Sequence, residues 1–597
     1  MDCRERILSD DYLDIITDFP VLPGAEEEFD LCYVNVDNQY NLIYFNRNQV
    51  GSMERYLFSH RNVPMLYGLM QEQEASFDPN SLIVSGITQV QRPPLNLSGR
   101  GCVIVFIDTG IRYTEEVFRR EDGSSRILAI WDQTIQTGTP PEGFFYGSEY
   151  TREEINRALQ SENPYDVVPS RDENGHGSDM AAVAAGSRLG NGRTFLGAAP
   201  EADIVVVKLK ECKQYLRDFY LIPRDVPAYE ETDLMLAVQY GDRFAVQFRR
   251  PVIICLGVGT NYGNHAGSSP LSRYLNDIAI KRSRGVVICG GNEGNAAHHY
   301  QGNLLNRSTS DVGLNVGDLG NTRSGAVSTG PVVSAVRGVQ IRDNVEIRVG
   351  ENSDGFLLEL WGNVPDVFTV SVRSPGGETI PNIRLGIEDA ITYSFVYERT
   401  KVTIAGLLVE PGSGEELITI RVQDPTAGIW TFGVEAAGEI HNGEFHMWLP
   451  ITQFLNTEVY FLEPSPYITL TEPAMATDVI SVSTYDAANN SFYINSGRGF
   501  TRTGFPKPDF AAPGVGVSVI RGKQTGSSIA AAISAGAVAQ FMQWAVVDEN
   551  NTDVESREIK NYFIRGASRN FDITYPNREW GYGRLNMVGT FDALIGV

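Results

Sequence analysis

Four short runs in this chain are apolar from end to end: Cys102 to Ile107, Ile204 to Val207, Val252 to Leu256 and Val286 to Cys289. A half-exposed strand alternates polar and apolar side chains. A run without alternation belongs to a strand covered on both faces, as in a parallel sheet. Helical segments lie between the runs, among them Asp179 to Ala185 and Glu231 to Arg249. This βαβ rhythm predicts a doubly wound parallel sheet in an α/β fold. The same character returns after residue 469, with strands at Val479 to Val482 and Val515 to Val519.

The stretch between is different. From about residue 300 to 468 eight alternating runs are separated by Gly, Pro, Asn and Asp turns: Val345–Val349, Phe356–Trp361, Phe368–Val372, Ile391–Val396, Val402–Ala405, Leu417–Val422, Gly428–Val434 and Glu444–Leu449. They predict an all-β, jelly-roll-like sandwich inserted in the α/β domain. The first residues are acidic and mixed, with strands at Asp30–Val36 and Tyr40–Phe45 and room for a helix in Val50–Leu69. The expected organisation is a small α+β unit at 1–77, the α/β domain at 78–299 and 469–597, and the insert at 300–468.

The formal net charge is −25 over 597 residues. Nucleic-acid binding and adhesion to an anionic membrane need a basic face, so both are disfavoured as partners. The charged opening, Met1 to Arg6, has no apolar core behind it. We therefore expect no signal peptide, and cytoplasmic synthesis. Ser527 to Val547 carries no charge over 21 residues, but its Ala, Ser and Gln content fits a buried core helix. Six scattered cysteines form no CxxC pair, so no zinc site is expected and the thiols are read as free.

Three motifs carry chemistry. Phe106-Ile107-Asp108-Thr109-Gly110 ends a buried strand, where α/β sheets build their sites. Asn174-Gly175-His176-Gly177-Ser178 opens a small-residue helix, with glycines that let backbone approach the imidazole. Thr525-Gly526-Ser527-Ser528 opens the Ala-rich helix, whose free N–H groups suit a developing oxyanion. Alone, each has an ordinary reading: a turn Asp, a structural His, a Ser N-cap. Together they run in the order Asp, His, Ser, that of subtilisin and not of chymotrypsin or the α/β-hydrolases.

The sequence resembles the subtilase family of serine proteases over roughly 80–298 and 469–590. Besides the three motifs, the resemblance rests on Ser85 to Gln91 leading into Gly99 to Gly110, Cys255-Leu256-Gly257, Gly290-Gly291-Asn292-Glu293-Gly294 and Lys507-Pro508-Asp509 to Gly514. It implies Ser528 as nucleophile, His176 as general base and Asp108 as its orienting carboxylate. It implies Asn292 as oxyanion donor, and Cys255, Leu256, Gly257 and Gly291 as substrate-binding positions, with strand addition at Leu256–Gly257. Ser527 stands where the family has Thr, Ala532 where it has Pro, and Cys255 where it has Ser.

The resemblance further implies that residues 1–77 are an autoprocessed prodomain, chaperone and inhibitor, cut within 70–82. The whole architecture is similar to the clostridial Csp spore-germination proteases. That similarity implies limited cleavage of a protein substrate, a spore cortex-lytic enzyme precursor, in a spore-associated setting. No cofactor is expected; calcium often stabilises subtilases, but no EF-hand loop is present. Adjacent His298-His299 read as surface residues and not as metal ligands. Two rival functions are a catalytically silent subtilase-like sensor or scaffold acting through the insert, and a sugar-binding protein built on the sandwich.

Overall fold

A computed structural model describes residues 2–21, 24–51, 53–58, 63–72, 81–187, 196–306, 342–385 and 389–595. The chain groups into two compact units. One comprises Met1–His298, Leu449–Asn456 and Ser465–Val597; the other comprises His299–Trp448 and Thr457–Pro464. The insert was expected to run unbroken from 300 to 468. Instead Leu449–Asn456 groups with the first unit, because the Leu449 N–H donates to the His298 carbonyl (3.0 Å) and Asn261 Nδ2 donates to the Leu449 carbonyl (3.2 Å).

The first unit is built on a nine-stranded sheet. Its consecutive strands are Ser491–Phe492, Ile480–Asp486, Arg284–Cys289, Val252–Leu256, Val103–Asp108, Asp203–Lys208, Ile127–Asp132 and Ser148–Thr151, and Phe510–Pro513 also pairs with Ile480–Asp486. The central pairings are parallel. Every residue of Val103–Asp108 and Val252–Leu256 is buried, as their unbroken apolar character requires. Among the described residues Val517–Val519 pairs with Gly522–Gln524 alone, in a separate two-stranded sheet. The expected strand at Val515–Val519 is real but does not extend the main sheet.

Two helices position chemistry. His176–Ala185 and Ser527–Met542 are buried at every residue. The uncharged run Ser527–Val547 is long and apolar enough to cross a membrane, yet its most apolar window is 89% buried inside the fold. Small side chains make this possible: a Cβ on Gly536 would stand 2.8 Å from the Ala184 carbonyl oxygen.

The amino-terminal residues add a three-stranded antiparallel sheet, Tyr12–Thr17, Asn41–Asn46 and Leu31–Asn35. The helix expected in Val50–Leu69 is short, Met53–Leu57, and Leu66–Leu69 is a strand. Cys3 and Cys32 are joined in a disulfide, which corrects the expectation of six free thiols; the remaining four are buried and unpaired. The helix Cys3–Leu8 packs beside Leu31–Asn35, bringing together two cysteines far apart in sequence.

The second unit is a two-sheet sandwich. One sheet orders His299–Asn303, Glu444–Trp448, Gly355–Gly362, Glu416–Gln423, Lys401–Leu407 and Asp389–Ser394. The other orders Thr379–Ile383, Phe368–Arg373, Gly428–Ala436, Arg342–Val349 and Val459–Phe461. All eight expected runs are strands, and three unexpected ones join them. Aromatic pairs bridge the sheets: Phe368 with Phe445 (5.6 Å) and Tyr300 with Phe461 (5.8 Å).

Candidate active site

Three elements converge at the carboxyl end of the central strands. Asp108 is the last residue of Val103–Asp108. His176 opens its helix after Gly175, whose φ of 90° is in the left-handed region that glycine tolerates. Gly177 must lack a side chain, since a Cβ would stand 2.4 Å from the Gly110 carbonyl oxygen. Ser528 lies in the first turn of Ser527–Met542.

The three side chains form one hydrogen-bonded chain. His176 Nδ1 lies 2.7 Å and 2.9 Å from the two Asp108 carboxylate oxygens. His176 Nε2 lies 2.8 Å from Ser528 Oγ. Asp108 and His176 are each about 1% exposed, so their interaction is little screened by water. Burial opposes protonation of His176 most strongly. The Asp108 charge and hydrogen bond, helped by Asp172 and Asp179, outweigh it and hold the imidazole above its ordinary pKa.

Sequence reasoning missed Asp172. Its buried carboxylate accepts from Thr109 Oγ1 (2.8 Å), the Gly175 N–H (2.6 Å), the Ser178 N–H (2.9 Å) and Ser178 Oγ (2.6 Å). Thr109 follows Asp108, and Gly175 and Ser178 flank His176. One carboxylate therefore ties both loops together. No motif announced it, because Asp172 and Thr109 lie 63 residues apart.

Asn292 Oδ1 accepts from the Ser527 N–H (3.0 Å), which fixes the side-chain amide. Gly291, at φ +87°, donates its N–H to Ser527 Oγ (3.1 Å). The hydroxyl at 527 is thus in use, consistent with Ser in place of the family's Thr. Cys255 and Leu256 lie within the main sheet, paired with Phe106 and Val287 and with Ile107 and Ile288. They do not form the cleft edge, which begins at Gly257.

That edge is already occupied by the chain itself. Leu66–Leu69 is the middle strand of a small antiparallel sheet: Leu69 and Gly68 pair with Val258 and Gly259, and Tyr67 and Leu66 pair with Tyr229 and Glu230. The Met70 N–H donates to the Gly257 carbonyl (3.0 Å). The Met70 carbonyl oxygen lies 2.8 Å from Ser528 Oγ and 3.4 Å from the Ser528 backbone N. A Cβ on Gly526 would stand 2.6 Å from that oxygen and 3.5 Å from Asn292 Nδ2, so glycine there makes room for the carbonyl beside the amide.

The chain continues past the serine. Gln71 Nε2 donates to Gln524 Oε1 (3.0 Å), and the Glu72 N–H donates to the Thr525 carbonyl (2.9 Å). The Glu72 carboxylate accepts from Tyr493 Oη and from Asn495 Nδ2 (2.9 Å). Of the expected processing segment 70–82, residues 73–80 lie outside the described residues.

Among the described residues, no group of three or more His, Cys, Asp or Glu side chains forms a metal site. His298 is buried and pairs with Glu293 (2.7 Å), and His299 is buried in the sandwich, so neither is the expected surface residue.

Residues 99–310 and 458–583 match the Subtilase family (peptidase S8), more than half of the chain. No curated protein matches. The solved structure of the Clostridium perfringens CspB protease is similar at 28% identity, covering 87% of this chain and 100% of that one, with a TM-score of 0.72. MycP1 from Mycobacterium smegmatis matches at 13% identity, 88% of this chain and 89% of that one, TM-score 0.35. The psychrophilic subtilisin-like protease Apa1 from Pseudoalteromonas matches at 12%, 86% of this chain and 98% of that one, TM-score 0.29. With an Asp-His-Ser arrangement on a parallel sheet and more than half its length matched to one family, the chain belongs to the subtilase family of serine proteases.

Proposed function

We propose that this subtilase is an endopeptidase whose triad is Asp108, His176 and Ser528, and that it cuts its own chain between Met70 and Gln71. The observation that carries this reading is the Met70 carbonyl, held against Ser528 by a paired strand on one side and by Gln71 and Glu72 on the other. Residues 1–70 are then a prodomain, and the uncut segment or its product blocks the cleft.

The chemistry follows from the geometry. Ser528 Oγ attacks the Met70 carbonyl carbon while His176 Nε2 takes the hydroxyl proton. The carbonyl oxygen gains charge, stabilised by the Ser528 N–H and the Asn292 amide. The Met70–Gln71 bond breaks, and His176 returns the proton to the departing Gln71 nitrogen. Water then hydrolyses the acyl-enzyme. Asp108 holds the imidazole in the required tautomer and orientation. The strand contacts are backbone contacts, so a segment of another protein can enter in the same way once the cleft is vacated.

Likeness to the Csp proteases extends the reading to limited cleavage of a spore cortex-lytic enzyme precursor, in a spore-associated setting. The interleaved strand order of the insert fits a jelly roll. No cofactor takes part in this proposal.

The test is electrophoresis of wild type beside Ser528→Ala and His176→Ala. Wild type is expected in two pieces, and both variants whole. Equal cleavage of all three would overturn the reading.

A further inference from the structure

The strand Leu66–Leu69 has a wall that the subtilase match does not supply. Matched residues end at 310 and resume at 458, and Ile451 and Gln453 lie between. Gln453 Nε2 donates to the Leu69 carbonyl oxygen. A Cβ on Gly68 would stand 2.5 Å from Gln453 Nε2, 2.8 Å from Gln453 Cδ and 2.6 Å from Ile451 Cδ1. Each is closer than a Cβ normally comes, and each partner atom is the far end of a side chain, so any residue larger than glycine must push Gln453 and Ile451 aside.

The wall is anchored beside the active site. Glu293, the neighbour of Asn292, accepts from the Thr452 N–H (3.1 Å) and Thr452 Oγ1 (3.2 Å) and pairs with His298. Asn261 holds the Leu449 carbonyl. Ile451 and Phe454 are buried. The segment is therefore braced on both sides, and Gln453 spends its amide on the backbone of the occupying strand.

We propose that Ile451 and Gln453 are specificity-determining residues that favour glycine at the third position before the cut bond. The cleft then selects extended segments with Gly two residues ahead of the residue whose carbonyl meets Ser528. Gly68 fills that place in this chain. The inference rests on the cut between Met70 and Gln71.

The experiment measures self-cleavage of the full chain. Gly68→Ala displaces Gln453 and loses its bond to Leu69, and is expected to slow cleavage about tenfold. Gly68→Val adds bulk that moving Gln453 alone cannot relieve, and is expected to slow it roughly a hundredfold or more. Gly68→Val combined with Ile451→Ala and Gln453→Ala removes the wall and should recover most of the rate. That triple variant also separates a blocked cleft from a misfolded chain. Cleavage of Gly68→Val at the wild-type rate would overturn the proposal. So would a loss that the wall truncations do not relieve. If wild type is cut elsewhere or not at all, the assignment of the cut to Met70–Gln71 falls and this inference with it.

Discussion

Asp172→Asn is the sharpest perturbation of the site that leaves Asp108, His176 and Ser528 untouched. The Asp172 carboxylate faces only donors: Thr109 Oγ1 and the Gly175 N–H at one oxygen, the Ser178 N–H and Ser178 Oγ at the other. An amide keeps one oxygen and turns the other edge into a donor. Thr109 and Ser178 hydroxyls can rotate to accept, but a backbone N–H cannot. Whichever way the amide turns, one buried N–H, of Gly175 or Ser178, faces an NH2 group. An unsatisfied buried donor costs about 1–3 kcal/mol, and hydrogen bonds to a charged group are worth about 1.5–3 kcal/mol. The substitution should therefore destabilise the fold by about 2–4 kcal/mol, read from denaturant unfolding of the Ser528→Ala background. It also loosens the loops carrying Asp108 and His176, and a displacement of about 1 Å costs on the order of 10²-fold in rate. Removing a negative charge that helps hold a proton on His176 moves the acid limb of the cleavage profile to lower pH. A purely structural defect would leave that limb in place. Wild-type stability and rate, or an unmoved limb, would refute the role given to Asp172.

Self-cleavage needs neutral His176, whose pKa is raised, so the rate should fall with acidification through a midpoint above that of free imidazole; a stopped pH series on freshly refolded chain reads it. Burial raises Glu231 and Glu472 to about 7 each. The folded state then binds their protons more tightly than the unfolded one. Their contribution to stability is full below the unfolded carboxylate range and is lost as pH rises towards about 7, so Glu231→Gln should flatten the pH dependence of Tm between pH ~4.5 and ~7. The Asp14 carboxylate is buried against Lys213 Nζ (2.9 Å) and Tyr215 Oη (3.2 Å). Asp14→Ala leaves Lys213 Nζ buried with backbone carbonyls such as that of Tyr12 (2.9 Å) and no carboxylate, expected to cost about 3–5 kcal/mol in urea unfolding, while Asp14→Ala with Lys213→Met should recover most of it.

What was legible in the sequence was local. Asp108, His176 and Ser528 each sit in a short motif whose glycines serve close contacts, and the structure brings the three side chains into one hydrogen-bonded chain. The fully apolar strands declared themselves by lacking alternation. What was hidden depends on register and on distant partners. Which carbonyl stops at Ser528 is set by pairing Leu69 with Val258, and no local signal in 70–82 could single out Met70. The cleft edge was placed at Leu256–Gly257, but the sheet holds Leu256 and frees the chain only from Gly257. Three sandwich strands escaped notice because His299–Asn303 is largely polar, Thr379–Ile383 holds a proline and Val459–Phe461 is only three residues long. The Cys3–Cys32 link, the Asp172 tie and the Gln453 wall all join segments with no common motif.

The most direct measurement is the intact mass and amino-terminal sequence of purified wild type beside Ser528→Ala. A wild-type fragment beginning at Gln71, with Ser528→Ala uncut, is the predicted result. A wild-type chain that stays whole, or a cut at the same bond in both proteins, would contradict the assignment of Ser528 and of the strand it holds.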